Sequence, residues 1–341
     1  MDWLDEADGV FRGGGVKGIA LAGALEGFAG HPTKPVRRWI NVAGASAGAI
    51  IACYLALGRT AEEMSALLRE TDFARFQDFP RRSPVLGLAN LAYRRGLARG
   101  RAFERWFDEV LGEATFAQVE KEPEGGLERD WRLKLIAVDV TRRDLLVLPD
   151  DLDRYLEPGG SKPIDPDNFR IARAARMSMS IPYFFEPVEL EHRDGGRSAI
   201  IDGGTLSNFP VWLFDVDPAK VGRPPARPTF GFTLTGGRGF GANARILRRL
   251  LPWSVRFAFD IFATAQEAWD ERFVSQSTRV RTLAVDAADV ATTDFRISRQ
   301  RQQLLLENGR RAAREFLDAF ELESYMNTYH ARPTSFPAVA P

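Results

Sequence analysis

The chain has 341 residues, one cysteine, three histidines and no excess of charge of either sign. The lone Cys53 excludes an internal disulfide framework and suits a reducing compartment. It sits in an apolar run, where a thiol packs as a small hydrophobe. Lysine plus arginine number 46 and aspartate plus glutamate 46, so formal net charge is zero. That balance supplies no electrostatic footprint for nucleic acid, and none is expected as a partner. Long apolar runs are scarce too. The uncharged stretch Trp39–Gly58 is long enough to span a bilayer, but it is rich in Gly, Ala and Ser. A buried strand, a tight turn and a buried helix account for it better. The first residues, Met1-Asp2-Trp3-Leu4-Asp5-Glu6, are acidic and form no apolar core of a signal peptide. The expectation is a cytoplasmic protein, at most peripheral to the membrane.

What is present reads as one α/β globule. Hydrophobic residues make up 45% and charged residues 27%, ordinary values for a chain with a sizeable core. Strands are expected at Asp8–Phe11, Trp39–Ala43, Trp131–Val140, Leu145–Leu148, Ile200–Ile201, Thr229–Leu234 and Thr282–Val285. Helices are expected over Val16–Phe28, Ala47–Leu57, Phe169–Arg176 and Ser298–Phe320, and Thr60 with Glu63 forms a capping box. The β-α-β order implies parallel strands with helices on the sheet faces. Lys121–Glu128 and Asp215–Pro228 read as surface loops. Residues 1–330 are expected to form one domain, and 331–341 a flexible tail.

Three strand-to-turn motifs carry chemistry. Gly44-Ala45-Ser46-Ala47-Gly48 is a Gly-x-Ser-x-Gly turn between an apolar strand and an apolar helix. Such an elbow lifts a serine oxygen clear of the sheet, and the helix N-terminus favours negative charge there. The bland reading is a small-residue helix start in the core. Gly13-Gly14-Gly15-Val16-Lys17-Gly18 also matches a dinucleotide fingerprint, which needs an acid at the end of the second strand. No Asp or Glu lies between Glu26 and Glu62, and the serine turn occupies the place of the ribose ligand. An oxyanion-binding loop of exposed N–H groups fits better. Lys17 either attracts phosphate or is a solvated charge on the first turn.

None of His31, His192 and His330 is well placed for a Ser-His-Asp triad, and all three read as surface residues. Asp202, which follows Ala199-Ile200-Ile201 and precedes Gly203-Gly204, should stand at a strand end. A carboxylate within hydrogen-bond reach can take the serine proton directly. The competing reading is an Asp-Gly hairpin.

With these motifs in this order, the chain resembles the patatin-like phospholipase family in its bacterial form. The resemblance spans roughly Asp8–Phe320 and includes Met177-Ser178-Met179-Ser180-Ile181-Pro182-Tyr183-Phe184-Phe185 and Thr293-Asp294-Phe295 before the last helix. It implies a three-layer α/β/α fold with a mostly parallel central sheet, and hydrolysis of lipid acyl esters without cofactor or metal. It implies Ser46 as nucleophile, Asp202 as base, and Gly13, Gly14 and Gly15 as the oxyanion loop. Lys17, Gly18, Gly44, Gly48, Gly203 and Gly204 would support these motifs. Arg12 departs from the family, whose plant members carry Asp before the glycines. The implied substrate is a phospholipid or lysophospholipid. Alternatives are a carboxylesterase with a Ser-His-Asp triad acting on small soluble esters, and a catalytically silent lipid-binding subunit.

Residues 81–105 hold seven arginines (Arg81, Arg82, Arg94, Arg95, Arg99, Arg101, Arg105) and one acid, Glu104. Leu86, Leu88, Leu91, Tyr93 and Leu97 are interleaved with them. Arg245–Phe257 is a second apolar and cationic segment. One reading is peripheral association with anionic membranes, with Arg94, Arg95 and Arg99 docking. The other is helices packed on the sheet with solvated arginines.

Overall fold

A computed structural model describes residues 5–79, 90–91, 93–122, 129–215, 227–236 and 280–325, with isolated positions between 253 and 264. The strands are β1 (Glu6–Phe11), β2 (Arg38–Ala45), β3 (Gly96–Ala98), β4 (Glu120–Lys121), β5 (Asp130–Trp131), β6 (Leu133–Asp139), β7 (Asp144–Leu148), β8 (Tyr155–Leu156), β9 (Tyr183–Phe185), β10 (Val188–His192), β11 (Arg197–Asp202), β12 (Thr229–Thr235) and β13 (Thr282–Asp286). The helices are α1 (Ile19–Ala29), α2 (Ala47–Ala56), α3 (Ala61–Glu70), α4 (Arg101–Leu111), α5 (Ile171–Ser178) and α6 (Arg299–Ala319). Thr60 and Glu63 close the expected capping box on α3. The expected first helix begins instead as a tight 3-10 turn, Gly15–Gly18, before α1. The expected strand from Trp131 splits at Arg132, whose guanidinium turns to the Ile40 and Trp39 carbonyls of β2.

The main sheet runs β13-β12-β1-β2-β6-β11-β10-β8, with β7 also on β6, and helices lie on both of its sides. From β13 to β6 the pairs are parallel, and β6 meets β7 and β11 antiparallel. The sheet is therefore mixed rather than mostly parallel. Its parallel half keeps the expected crossovers, while hairpins build the rest. One face carries Phe11, Phe230 and Phe232, which pack with Phe28 of α1. Phe316 of α6 closes over Phe28 and Phe230. On a separate small cluster, Val10 and Ala43 are covered by Phe209 and Val211.

Strand register determines where the site lies. β7 occupies one edge of β6 along Leu135–Asp139. A strand has two edges, so β2, paired to Leu133–Ile136, and β11, paired to Asp139–Ala137, share the other. They approach from opposite directions. Ala45 reaches Ile136 and Asp202 reaches Ala137, so the C-terminal ends of β2 and β11 meet head to head.

Candidate active site

Ser46 is the residue between β2 and α2. Its backbone sits at φ 53°, ψ −125°, a strained region for a residue with a Cβ. Close packing imposes this turn. A Cβ on Gly48 would lie 2.1 Å from the Phe11 carbonyl oxygen, and one on Gly44 2.3 Å from the Gly48 oxygen. Strand and helix can approach this closely only without those side chains. The Ser46 N–H donates to Ser178 Oγ at 3.0 Å. Ser46 is itself buried.

Asp202 arrives from β11. Ser46 Oγ donates to Asp202 Oδ2 at 2.7 Å, and Gly204 N–H donates to Asp202 Oδ1 at 2.8 Å. The Asp202 N–H donates to the Ser180 carbonyl at 3.0 Å. The carboxyl is fully buried. Burial disfavours its charge and raises its pKa to about 7, against the pull of the Ser46 and Gly204 hydrogen bonds. A carboxyl titrating near neutrality, in contact with a serine hydroxyl, is suited to accept that proton. Gly203 lies against β6, where a Cβ would come within 2.2 Å of the Ile136 oxygen.

The glycine loop follows β1, beside Ser46. A Cβ on Gly13 would lie 2.8 Å from the Ser46 Cβ. The Gly13 N–H, however, donates to the Asn208 carbonyl at 3.2 Å. Among the described residues, the Gly14 and Gly15 N–H groups donate to no acceptor, so they are the open donors of the expected three. Gly15 has φ +57°, and a Cβ there would strike the Thr292 carbonyl oxygen at 2.1 Å. Lys17 Nζ donates to the Gly236 carbonyl at 3.4 Å, and Arg12 Nη1 to the Leu234 carbonyl at 2.7 Å. Both cations thus lace the loop to the end of β12. Gly18 is buried against Ala47.

The histidines depart from expectation. His31 and His192 are buried rather than on the surface. His31 Nε2 lies 3.2 Å from Asp318 Oδ1, at the end of α6, and its Nδ1 accepts the Lys34 N–H. His192 stacks edge-on against Tyr155, and its Nδ1 accepts the Asp194 N–H. Both rings are committed to partners outside the Ser46–Asp202 pair. His330 and the 331–341 tail lie outside the described residues.

Arg94, Arg95 and Arg99 are exposed, as are Arg101 and Arg105. Tyr93 is 88% exposed, whereas Leu91 and Leu97 are buried. The segment therefore has a packed apolar side and a cationic outer side. Leu86, Leu88, Arg81 and Arg82 lie outside the described residues. So does most of Arg245–Phe257, although Trp253 and Phe257 are described as exposed and mutually stacked. Among the described residues no helix is long and apolar enough to cross a membrane, and no group of three His, Cys, Asp or Glu could hold a metal ion.

Ser178, Ser180, Asn208 and Arg176 are buried polar residues that support the site without a sequence motif of their own. The one local signal was a pair of serines in the otherwise apolar Met177–Phe185 run.

Comparison with known proteins places these features in a lineage. The family model described as Patatin-like phospholipase matches residues 9–215. The Bacillus subtilis (strain 168) protein YqhO is 38% identical over 327 residues, 91% of this chain and 97% of its own. The Acanthamoeba polyphaga mimivirus protein R571 is 26% identical over 209 residues, 61% of each chain. Among solved structures, VipD from Legionella pneumophila superposes with a TM-score of 0.52 at 16% identity, covering 93% of this chain and 67% of VipD. The type III effector protein ExoU gives a TM-score of 0.45 at 15% identity, and this chain spans about half its length. A family match over more than half the chain, with a near-full-length relative at 38% identity, establishes that the chain belongs to the patatin-like phospholipase family, a family of lipid acyl hydrolases.

Proposed function

We propose that the chain is a serine acyl hydrolase of the phospholipase A or lysophospholipase type, acting through a Ser46–Asp202 dyad within a domain formed by residues 1–330. The observation that carries this reading is the 2.7 Å hydrogen bond from Ser46 Oγ to a fully buried carboxylate oxygen. As Oγ attacks the ester carbonyl carbon, its proton passes to Asp202 Oδ2. The resulting oxyanion meets the Gly14 and Gly15 N–H groups and the N-terminus of α2. Collapse of the tetrahedral species breaks the bond to the lipid alcohol, which leaves with the proton from Asp202. Water then attacks the acyl-serine, Asp202 takes its proton, and the fatty acid departs as Ser46 is reprotonated. No step calls for a cofactor. A Ser-His-Asp triad has less support, because His31 and His192 are bonded elsewhere.

We also propose docking on anionic lipid surfaces through the exposed Arg94, Arg95 and Arg99, whose side chains share one cationic segment. The test of the activity is mass spectrometry of mixed phospholipid and lysophospholipid vesicles incubated with the protein. Free fatty acid should accumulate with the wild type. Ser46→Ala and Asp202→Asn should each slow release by at least ~10³-fold, because nucleophile and base act as a unit. A catalytically silent lipid-binding protein would bind the vesicles and release nothing. Undiminished release by Ser46→Ala would remove the dyad.

A further inference from the structure

The Ser46–Asp202 contact depends on two backbones that meet end to end without a hydrogen bond of their own. One short turn reaches both. At the end of α5, Ser178 Oγ accepts the Ser46 N–H at 3.0 Å and donates to the Ile136 carbonyl at 2.6 Å. Two residues on, the Ser180 carbonyl accepts the Asp202 N–H at 3.0 Å. Ile136 is the β6 partner of Ala45, and Ala137 is the partner of Asp202. The chain from Ser46 N–H through the Ser178 hydroxyl to Ile136 therefore closes on the strand that aligns both residues. Resting on the dyad reading above, we propose that Ser178 is a positioning residue: its hydroxyl holds the Ser46 backbone at the place from which Oγ reaches Asp202.

Three observations support this role. First, Ser46 is held at positive φ, and a strained residue keeps its conformation only where its surroundings over-determine it. The Ser178 hydroxyl is the acceptor for its N–H. Second, Ser178 is fully buried, so removing its hydroxyl leaves the Ser46 N–H without its acceptor in a site shielded from bulk solvent. Third, the turn is itself anchored. Arg176 is buried and donates to Ser180 Oγ, to the Arg99 carbonyl at 2.9 Å and to the Glu186 carbonyl at 2.7 Å. Ser180 Oγ donates back to the Arg176 carbonyl at 2.9 Å. Arg176 thereby joins the turn to the ends of β3 and β9, so Ser178 stands on a fixed base.

The role is tested with Ser178→Ala and Ser178→Cys in the full chain. Cysteine keeps the volume but is a weak donor and acceptor, so it separates hydrogen bonding from packing. Hydrolysis of a short soluble p-nitrophenyl acyl ester gives kcat, KM and the pH profile, and thermal melting reports the folded fraction. Ser65→Ala serves as control, since Ser65 is fully buried on α3 and its side chain makes no hydrogen bond to Ser46 or Asp202. Both Ser178 variants should lose roughly 10- to 100-fold in kcat with KM within about 2-fold, the scale of a slightly misplaced nucleophile. The acid limb of the profile should move to higher pH, because a loosened Ser46 bond no longer favours the ionised carboxylate. The control should keep its kcat and its profile. If the alanine variant does not fold, the cysteine variant decides. A folded Ser178 variant with wild-type kcat and an unmoved acid limb would overturn the proposal. Failure of the dyad reading shows differently, as wild-type hydrolysis that persists in Ser46→Ala.

Discussion

As the base of the proposed dyad, Asp202 would couple pH to both chemistry and stability. Only its ionised form can take the Ser46 proton, so kcat/KM should rise through about pH 7 and level off above it. For stability the sign is opposite. The folded carboxyl keeps a proton that the unfolded chain, with an ordinary aspartate pKa of about 3.8, has released. Its stability contribution is therefore lost as pH rises from about 4 to about 7. Asp202→Asn carries no such charge. Its stability relative to wild type should grow across that window, approaching on the order of 4 kcal/mol above pH 7, and urea unfolding at pH 4 and pH 8 measures it. The glycines also separate. Gly14→Ala displaces only the tip of Leu234 and should lower kcat more than it raises KM. Gly15→Ala meets the Thr292 backbone at positive φ, so thermal melting should show it destabilised whatever its kinetics. The serine turn was legible in the sequence because small residues bracket a hydroxyl at a strand end. The engagement of the Gly13 N–H was not, since its acceptor, Asn208, is far along the chain.

Elements with strong local signals were legible to within a residue or two. Ser298 caps α6, and Thr60 with Glu63 caps α3, as their side-chain chemistry implies. The meeting of β2 and β11 was not legible. It follows from β11 running antiparallel on the edge of β6 that β2 also uses, and strand direction is set by nonlocal pairing. The far end of α6 is likewise a tertiary arrangement. Lys34 Nζ donates to the Leu317 carbonyl at 2.7 Å and the Phe320 carbonyl at 2.6 Å, satisfying helix-end acceptors. Lys34→Met should cost about 1 kcal/mol, read as a lower urea midpoint with an unchanged slope. It should leave ester hydrolysis intact, since its contacts lie at the end of α6.

Across the whole molecule, zero net charge conceals an uneven surface. Arg94, Arg95, Arg99, Arg101 and Arg105 face outward while Leu91 and Leu97 pack inward. If this surface docks on lipid, binding should favour anionic over zwitterionic vesicles by roughly 1 kcal/mol per arginine near the headgroups. It should weaken with salt, because exposed charges are screened beyond about 8–10 Å. Replacing Arg94, Arg95 and Arg99 with Glu should reduce hydrolysis of anionic vesicles and spare a short soluble ester. Co-sedimentation across a salt series checks this, and salt-independent binding equal for both proteins would refute docking. The cationic run was visible in the sequence. Which of its apolar residues turn inward was not, because that depends on the packing of β3 against β9.

The dyad is tested most directly by peptide mapping after treatment with a long-chain alkyl fluorophosphonate, which forms a stable adduct with an activated serine. The account predicts one adduct per chain, on Ser46, forming at least ~10³-fold more slowly in Asp202→Asn. An adduct on a different serine, or labelling of Ser46 at the wild-type rate in Asp202→Asn, would contradict it.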